Sequence, residues 1–254
     1  MGLILGSEPF FEERGEVGCL LLHGFTGTPR EMRMLGDYLA ERDITVSAPR
    51  ICGHCTTPQD LNTTRWPDWY RDAEAALADL RKKCKTVFVA GLSMGGLQTL
   101  HLGTHYPDIP GIIPLAAPVF VRHWKLALFM PLMRSTPLLK VYRYDKGIGD
   151  DLKDPEALKD HISYKRTPTA CVLSIVDYMR HVREDLPAIR MPVLVIQARQ
   201  DHTVHPENAN EIYNSVGSAD KELVWLDNSY HVITEDYDRE TVFKKAHEFI
   251  EKHA

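Results

Sequence analysis

Gly91-Leu92-Ser93-Met94-Gly95 sets a serine between two glycines, directly after a β-branched and aromatic run at 86–90 and directly before a helix-period stretch at 94–106. A strand that turns abruptly into a helix needs small flanking residues, because a Cβ there would meet neighbouring backbone. In such a turn the serine is held strained, with its hydroxyl beyond the sheet edge and beside the positive end of the helix. The chemistry expected of that hydroxyl is nucleophilic attack on a carbonyl. A hydroxyl attacks poorly at neutral pH, so it needs a base. Twelve histidines compete for the role. His231 lies in a loop at 228–234, just after the last apolar run, and Asp201 lies in the loop after the run at 193–197. The chain order Ser93, Asp201, His231 is that of a nucleophile, an acid that orients the imidazole, and the imidazole that takes the proton. Asp227 is a rival acid, read as shaping the turn before His231. His23-Gly24-Phe25 follows the first apolar run, and His23 reads as fixing that loop. The main-chain N–H groups of Phe25 and Met94 are the expected oxyanion hole, where loss of one donor typically costs ~10²–10³ in turnover.

These groups must be carried by a sheet. Apolar runs at 17–22, 44–48, 86–90, 112–116, 193–197 and 222–226 alternate with helix-period stretches at 28–41, 66–83, 94–106, 207–214 and 239–252. Such alternation predicts an α/β fold, a mostly parallel sheet with helices on both faces. From about 118 to 191 prolines and basic residues are scattered through helix-like segments with no clear strand. This stretch reads as an inserted cap, 118–191, on a core made of 1–117 and 192–254.

The chain has 254 residues, 44% of them hydrophobic and 26% charged, which describes an ordinary globular protein and argues against disorder. Its formal net charge is −5 and no Lys/Arg-rich cluster stands out, so no nucleic-acid partner is expected. Five cysteines, an odd number, do not read as a disulfide framework, and a reduced, cytoplasmic setting is expected. The start of the chain has no basic segment followed by an apolar one, and the apolar run at 126–133 is too short to span a bilayer. No stable membrane insertion is expected, and transient contact with lipid aggregates is left open.

His23-Gly24-Phe25-Thr26-Gly27-Thr28, Gly91-Leu92-Ser93-Met94-Gly95-Gly96, Gln200-Asp201-His202 and Asn228-Ser229-Tyr230-His231-Val232 resemble the α/β-hydrolase family. Within it they are most similar to compact bacterial monoacylglycerol lipases and bacillus-type carboxylesterases. The resemblance runs over nearly the whole chain, including 149–155 and 164–168. It implies an α/β-hydrolase fold with a cap. It also implies triad roles for Ser93, Asp201 and His231, an oxyanion role for Phe25 and Met94, and a monoacylglycerol or a short-to-medium-chain ester as substrate. Neither a metal nor an organic cofactor is required for that chemistry. One departure is Gly53-His54-Cys55, where relatives often have Gly-His-Gly.

Trp124, Leu128, Phe129, Met133 and Leu139 are the expected acyl-chain contacts, since each buried CH₂ is worth roughly 0.8 kcal/mol. The same residues also suit the cap's own core. A glyceride substrate further needs polar groups for its hydroxyls, with Asp160, His161 and Ser163 as candidates. Cys52-Gly53-His54-Cys55 has the spacing of a dithiol motif but reads as a loop rather than a helix start, so redox catalysis is not expected. His101 and His105 share a helix face without a third ligand, and His202 and His205 also lack a metal set. Thioester or amide hydrolysis, and a non-catalytic hydrophobic-ligand receptor on the same scaffold, stand as alternatives. Epoxide opening is disfavoured by a serine at the elbow.

Overall fold

A computed structural model describes residues 2–122, the backbone of 143–145, and residues 151–254. Seven strands form one sheet: β1 (Phe10–Glu12), β2 (Val17–Leu22), β3 (Thr45–Ala48), β4 (Thr86–Leu92), β5 (Ile112–Leu115), β8 (Val193–Ala198) and β9 (Lys221–Leu226). Their order is β1-β3-β2-β4-β5-β8-β9. Every neighbouring pair is parallel except β1 with β3. All six parallel strands therefore end at the same edge, and the loops that follow β2, β4, β8 and β9 gather there. The strands of the sheet's middle are buried almost without a break, as in a sheet covered on both faces.

The helices are α1 (Arg33–Ala40), α2 (Pro58–Asn62), α3 (Trp66–Arg81), α4 (Met94–His105), α5 (Pro155–Asp160), α6 (Thr169–Asp185), α7 (Glu207–Ser215) and α8 (Arg239–His253). Two apolar clusters, one on each sheet face, fill the space between these layers. One joins Leu20, Leu22, Val87 and Val89 to α3, α4 and α6. The other joins Leu21, Phe88 and Ala90 to α1 and α8. The alternating sides taken by Leu20, Leu21 and Leu22 are the two-residue period of a strand.

The strand–helix alternation thus gives the expected fold, with three additions. The edge strand β1 is only three residues long and escapes a periodicity reading. α2 starts at Pro58, capped by the Thr57 hydroxyl accepting the Asp60 N–H at 3.1 Å, in a segment read as loop. The stretch read as lacking strands contains an antiparallel pair, β6 (Arg143–Asp145) with β7 (Arg166–Pro168). Three residues ending in proline are too few to display alternation. The helix expected over 28–41 opens as a 3-10 turn, Pro29–Met32, before α1 begins.

The tightest point is the turn from β4 into α4. A Cβ at Gly95 would stand 2.0 Å from the Leu22 carbonyl oxygen and 2.9 Å from that of His23, and one at Gly91 would stand 2.3 Å from the Gly95 carbonyl carbon. All of these obstacles are backbone and cannot rotate away. Gly95→Ala is expected to destabilise the protein by at least about 3 kcal/mol in urea unfolding, because α4 must lift off β2 to admit the methyl group.

Candidate active site

Ser93 occupies the turn between β4 and α4 with φ 55° and ψ −113°, a conformation that L residues rarely adopt. Its N–H donates to the Leu115 carbonyl at 2.8 Å, which ties the turn to β5. Met94, the next residue, is the first of α4, so its N–H has no partner four residues back in the helix. The loop after β2 lies alongside. A Cβ built at Gly24 would stand 3.6 Å from the Ser93 Cβ.

That loop is fixed from several sides. His23 is fully buried. Its Nε2 accepts the Ile51 N–H at 3.2 Å, which leaves Nδ1 to donate to the Gly24 carbonyl at 2.9 Å. Burial pushes its imidazole down to about 4, so the ring is neutral at pH 7. His23 thus braces the loop, as its position suggested. The Phe25 ring packs against Trp69 and His54, with centroids 5.5 and 6.1 Å away. Thr26 takes a left-handed φ of 68°, and its carbonyl accepts the Tyr164 N–H at 2.9 Å.

Asp201 and His231 meet across the loops after β8 and β9. The His231 Nδ1–H donates to Asp201 Oδ2 at 2.8 Å, and both side chains are almost fully buried. The same Oδ2 accepts the Gln197 amide N–H at 2.8 Å, and Oδ1 accepts the main-chain N–H groups of Thr203 and Val204 at 2.9 and 2.7 Å. The carboxylate therefore cannot rotate without breaking several bonds. Burial opposes the charged imidazole of His231, but the Asp201 carboxylate, with Asp151 and Glu31 behind it, holds the ring above its usual value. With Nδ1 committed to Asp201, Nε2 is the nitrogen left to take a proton. The rival acid Asp227 is exposed and pairs with Arg199 at 3.0 Å, so it does not reach the imidazole.

Two further acids, assigned no role from sequence, build the His231 loop. The Asp151 carbonyl accepts the His231 and Val232 N–H groups at 3.0 and 3.2 Å. Its carboxylate accepts the His202 N–H at 2.9 Å and contacts the His202 ring at 2.9 Å. Asp236, fully buried, accepts the N–H groups of Lys153, Tyr230, Asp154 and Tyr237 at 2.8–2.9 Å. A run of acids after His231 is visible in the sequence, but which of them turns inward is not.

The remaining candidates separate cleanly. Trp124, Leu128, Phe129, Met133 and Leu139 lie outside the described residues. Asp160 is exposed near Arg30, at 3.7 Å. His161 is buried between two glutamates, and Ser163 is half-buried. His101 donates to or accepts from the Tyr178 hydroxyl at 3.0 Å and stacks on Tyr70 at 3.8 Å, and burial pushes it down to about 3. It belongs to the packing of α4. No group of three metal-ligating side chains occurs among the described residues, and no helix among them is long and apolar enough to cross a membrane.

Cys52 and Cys55 lie in a loop and form no disulfide. Cys55 takes φ 64°, the left-handed conformation that explains why glycine suits this position. Burial pushes the Cys52 thiol up to about 12 and that of Cys55 to about 11. Thiolates are the reactive form, so a shift of this size lowers reactivity by roughly 10²-fold or more at pH 7. Iodoacetamide should modify these two residues that much more slowly in the native protein than after unfolding, as peptide mass spectrometry will register.

A strained serine at a strand–helix turn, a buried imidazole–carboxylate pair on loops that open at the same sheet edge and a mostly parallel sheet define the α/β-hydrolase architecture. Residues 16–238 match the family described as serine aminopeptidase, S33 (Hydrolase_4), and the chain belongs to that family of serine hydrolases. It is 41% identical over 252 residues to a thermostable monoacylglycerol lipase of Bacillus sp. (strain H-257), covering 99% of this chain and 97% of that protein. It is 36% identical over 251 residues to a carboxylesterase of Bacillus subtilis (strain 168), with 98% of each chain covered. A solved structure from work on the metagenome-derived lipolytic enzymes LipS and LipT superposes with a TM-score of 0.92 at 36% identity, covering 99% of this chain and 100% of the other.

Proposed function

We propose that this serine hydrolase cleaves carboxylic esters, monoacylglycerols or short-to-medium-chain acyl esters, through an acyl-enzyme formed on Ser93. The observation that carries the reading is the buried 2.8 Å pair of His231 and Asp201 at the sheet edge where Ser93 projects. Ser93 Oγ attacks the ester carbonyl while His231 Nε2 takes its proton. Asp201 keeps Nδ1 protonated and offsets the charge that the imidazole gains. The Phe25 and Met94 N–H groups receive the developing oxyanion. His231 then returns the proton to the leaving alcohol, and water enters by the same route to release the acid. The names of the two Bacillus relatives support an ester rather than an amide, whereas the family description keeps amide cleavage as the second reading. The apolar residues Trp124, Leu128, Phe129, Met133 and Leu139 remain the proposed acyl contacts.

A rate panel of monoacylglycerols, triacylglycerols, C2–C18 alkyl esters and an amino-acid p-nitroanilide tests the substrate class. Turnover of monoacylglycerols and short esters is expected, and hydrolysis confined to the anilide would overturn the reading. Ser93→Ala should remove at least about 10³-fold of kcat without loss of folding. Because His231 is active only when neutral and its charged form is favoured above the ordinary ~6.5, kcat/KM should fall with acid through a midpoint above that value. Asp201→Asn should lower turnover by roughly 10⁴-fold and move the midpoint down.

A further inference from the structure

Glu31 has a side chain only 3% exposed, yet the proposed reaction gives it no proton to carry. It sits in the 3-10 turn that follows the loop after β2, and its carboxylate reaches back into that loop. Oε2 accepts the Gly24 N–H at 2.7 Å. A Cβ at Gly27 would fall 1.9 Å from Oε1, so the carboxylate fills the inside of the loop and glycine is required there. The peptide that follows Gly24 carries the Phe25 N–H. On the other side, the His161 Nε2 lies 3.9 Å from Glu31 Oε1, and its Nδ1 lies 2.6 Å from Glu235 Oε2. Glu235 is four residues beyond His231, and its N–H donates to the Val232 carbonyl at 3.0 Å. One buried string, carboxylate–imidazole–carboxylate, therefore runs from the oxyanion loop through the segment after α5 to the His231 loop.

Packing alone does not call for this arrangement, because apolar side chains fill a buried space with no desolvation cost. What a carboxylate adds is a directed acceptor for one particular N–H. We propose that Glu31 is a positioning residue for acyl transfer, its buried carboxylate clamping the Gly24–Gly27 loop so that the Phe25 N–H is aimed at the oxyanion, with His161 and Glu235 holding that carboxylate in place. The inference rests on the serine-esterase reading given above.

The string also acts through its charge. Burial pushes the Glu31 carboxyl up to about 7; Glu235 adds to this, while His161, the Gly24 N–H and His231 oppose it. When ionised, Glu31 favours the imidazolium of His231 together with Asp201 and Asp151. Removing that charge must move the acid limb of the activity profile downward.

The test compares Glu31→Ala and Glu31→Gln with the parent on p-nitrophenyl butyrate between pH 5.5 and 9, after each variant's melting has been recorded. A misaimed donor typically costs up to about 10² in rate. Glu31→Ala is therefore expected to lose about 10- to 100-fold in kcat with KM changed by less than about threefold. Glutamine keeps an acceptor oxygen for Gly24, so Glu31→Gln should recover most of that loss at pH 8.5 while its acid limb moves to lower pH. An alanine variant that melts cooperatively and turns over within twofold of the parent overturns the proposal. If the alanine variant does not fold, Glu31→Leu, which fills the same space without an acceptor for the Gly24 N–H, takes its place, and turnover within twofold of the parent overturns the proposal. Ser93→Ala, run alongside, separates the two levels: activity retained there refutes the serine mechanism, whatever Glu31 does.

Discussion

An imidazole and a carboxylate thirty residues apart in sequence meet at 2.8 Å, out of water, on loops that open at the same sheet edge as a strained serine. Burial by itself works against the charged imidazole, and the carboxylates of Asp201, Asp151 and Glu31 together more than offset that cost. Such a pair functions only if neither partner can turn away. Gln197, Thr203 and Val204 fix the carboxylate, while Asp151 and Asp236 fix the loop that carries the ring. Donors preorganised in this way need no rearrangement when charge develops, which is the usual source of electrostatic catalysis.

The sheet explains why such distant residues can be brought together at all. With six parallel strands in register, the loops after β2, β4, β8 and β9 open at one edge. Ligand sites in open α/β sheets lie at that edge for the same reason. The glycines at 91 and 95 let α4 approach β2 and β4 closely enough to present Ser93 there. Stability and chemistry are joined at this turn, since the contact that packs the helix also strains the serine.

Much of this was legible in the sequence. Val17–Leu22, Thr86–Leu92 and Val193–Ala198 are apolar runs with clear limits, and the elbow motif declares itself between a strand and a helix. The order of Ser93, Asp201 and His231 follows from where those elements end. Three-residue strands carry no period, which is why β1, β6 and β7 were not. The supporting acids were illegible for a different reason. Glu31, Asp151, Glu235 and Asp236 look like any surface acid in a chain with 35 of them, because the burial of Glu31, Glu235 and Asp236 and the partners of Asp151 are decided by tertiary neighbours far along the chain. His161 illustrates the same limit. Its place in the sequence makes it a candidate for substrate hydroxyls, whereas its charged partners are two buried glutamates.

Covalent trapping shows whether His231 makes the Ser93 oxygen reactive. The protein is treated with diethyl p-nitrophenyl phosphate and digested, and the adduct is located by mass spectrometry in the parent and in His231→Ala. One equivalent of adduct on Ser93 is expected in the parent, with labelling slowed by orders of magnitude in the variant. An adduct on another residue, or Ser93 labelled equally fast without the imidazole, would contradict it.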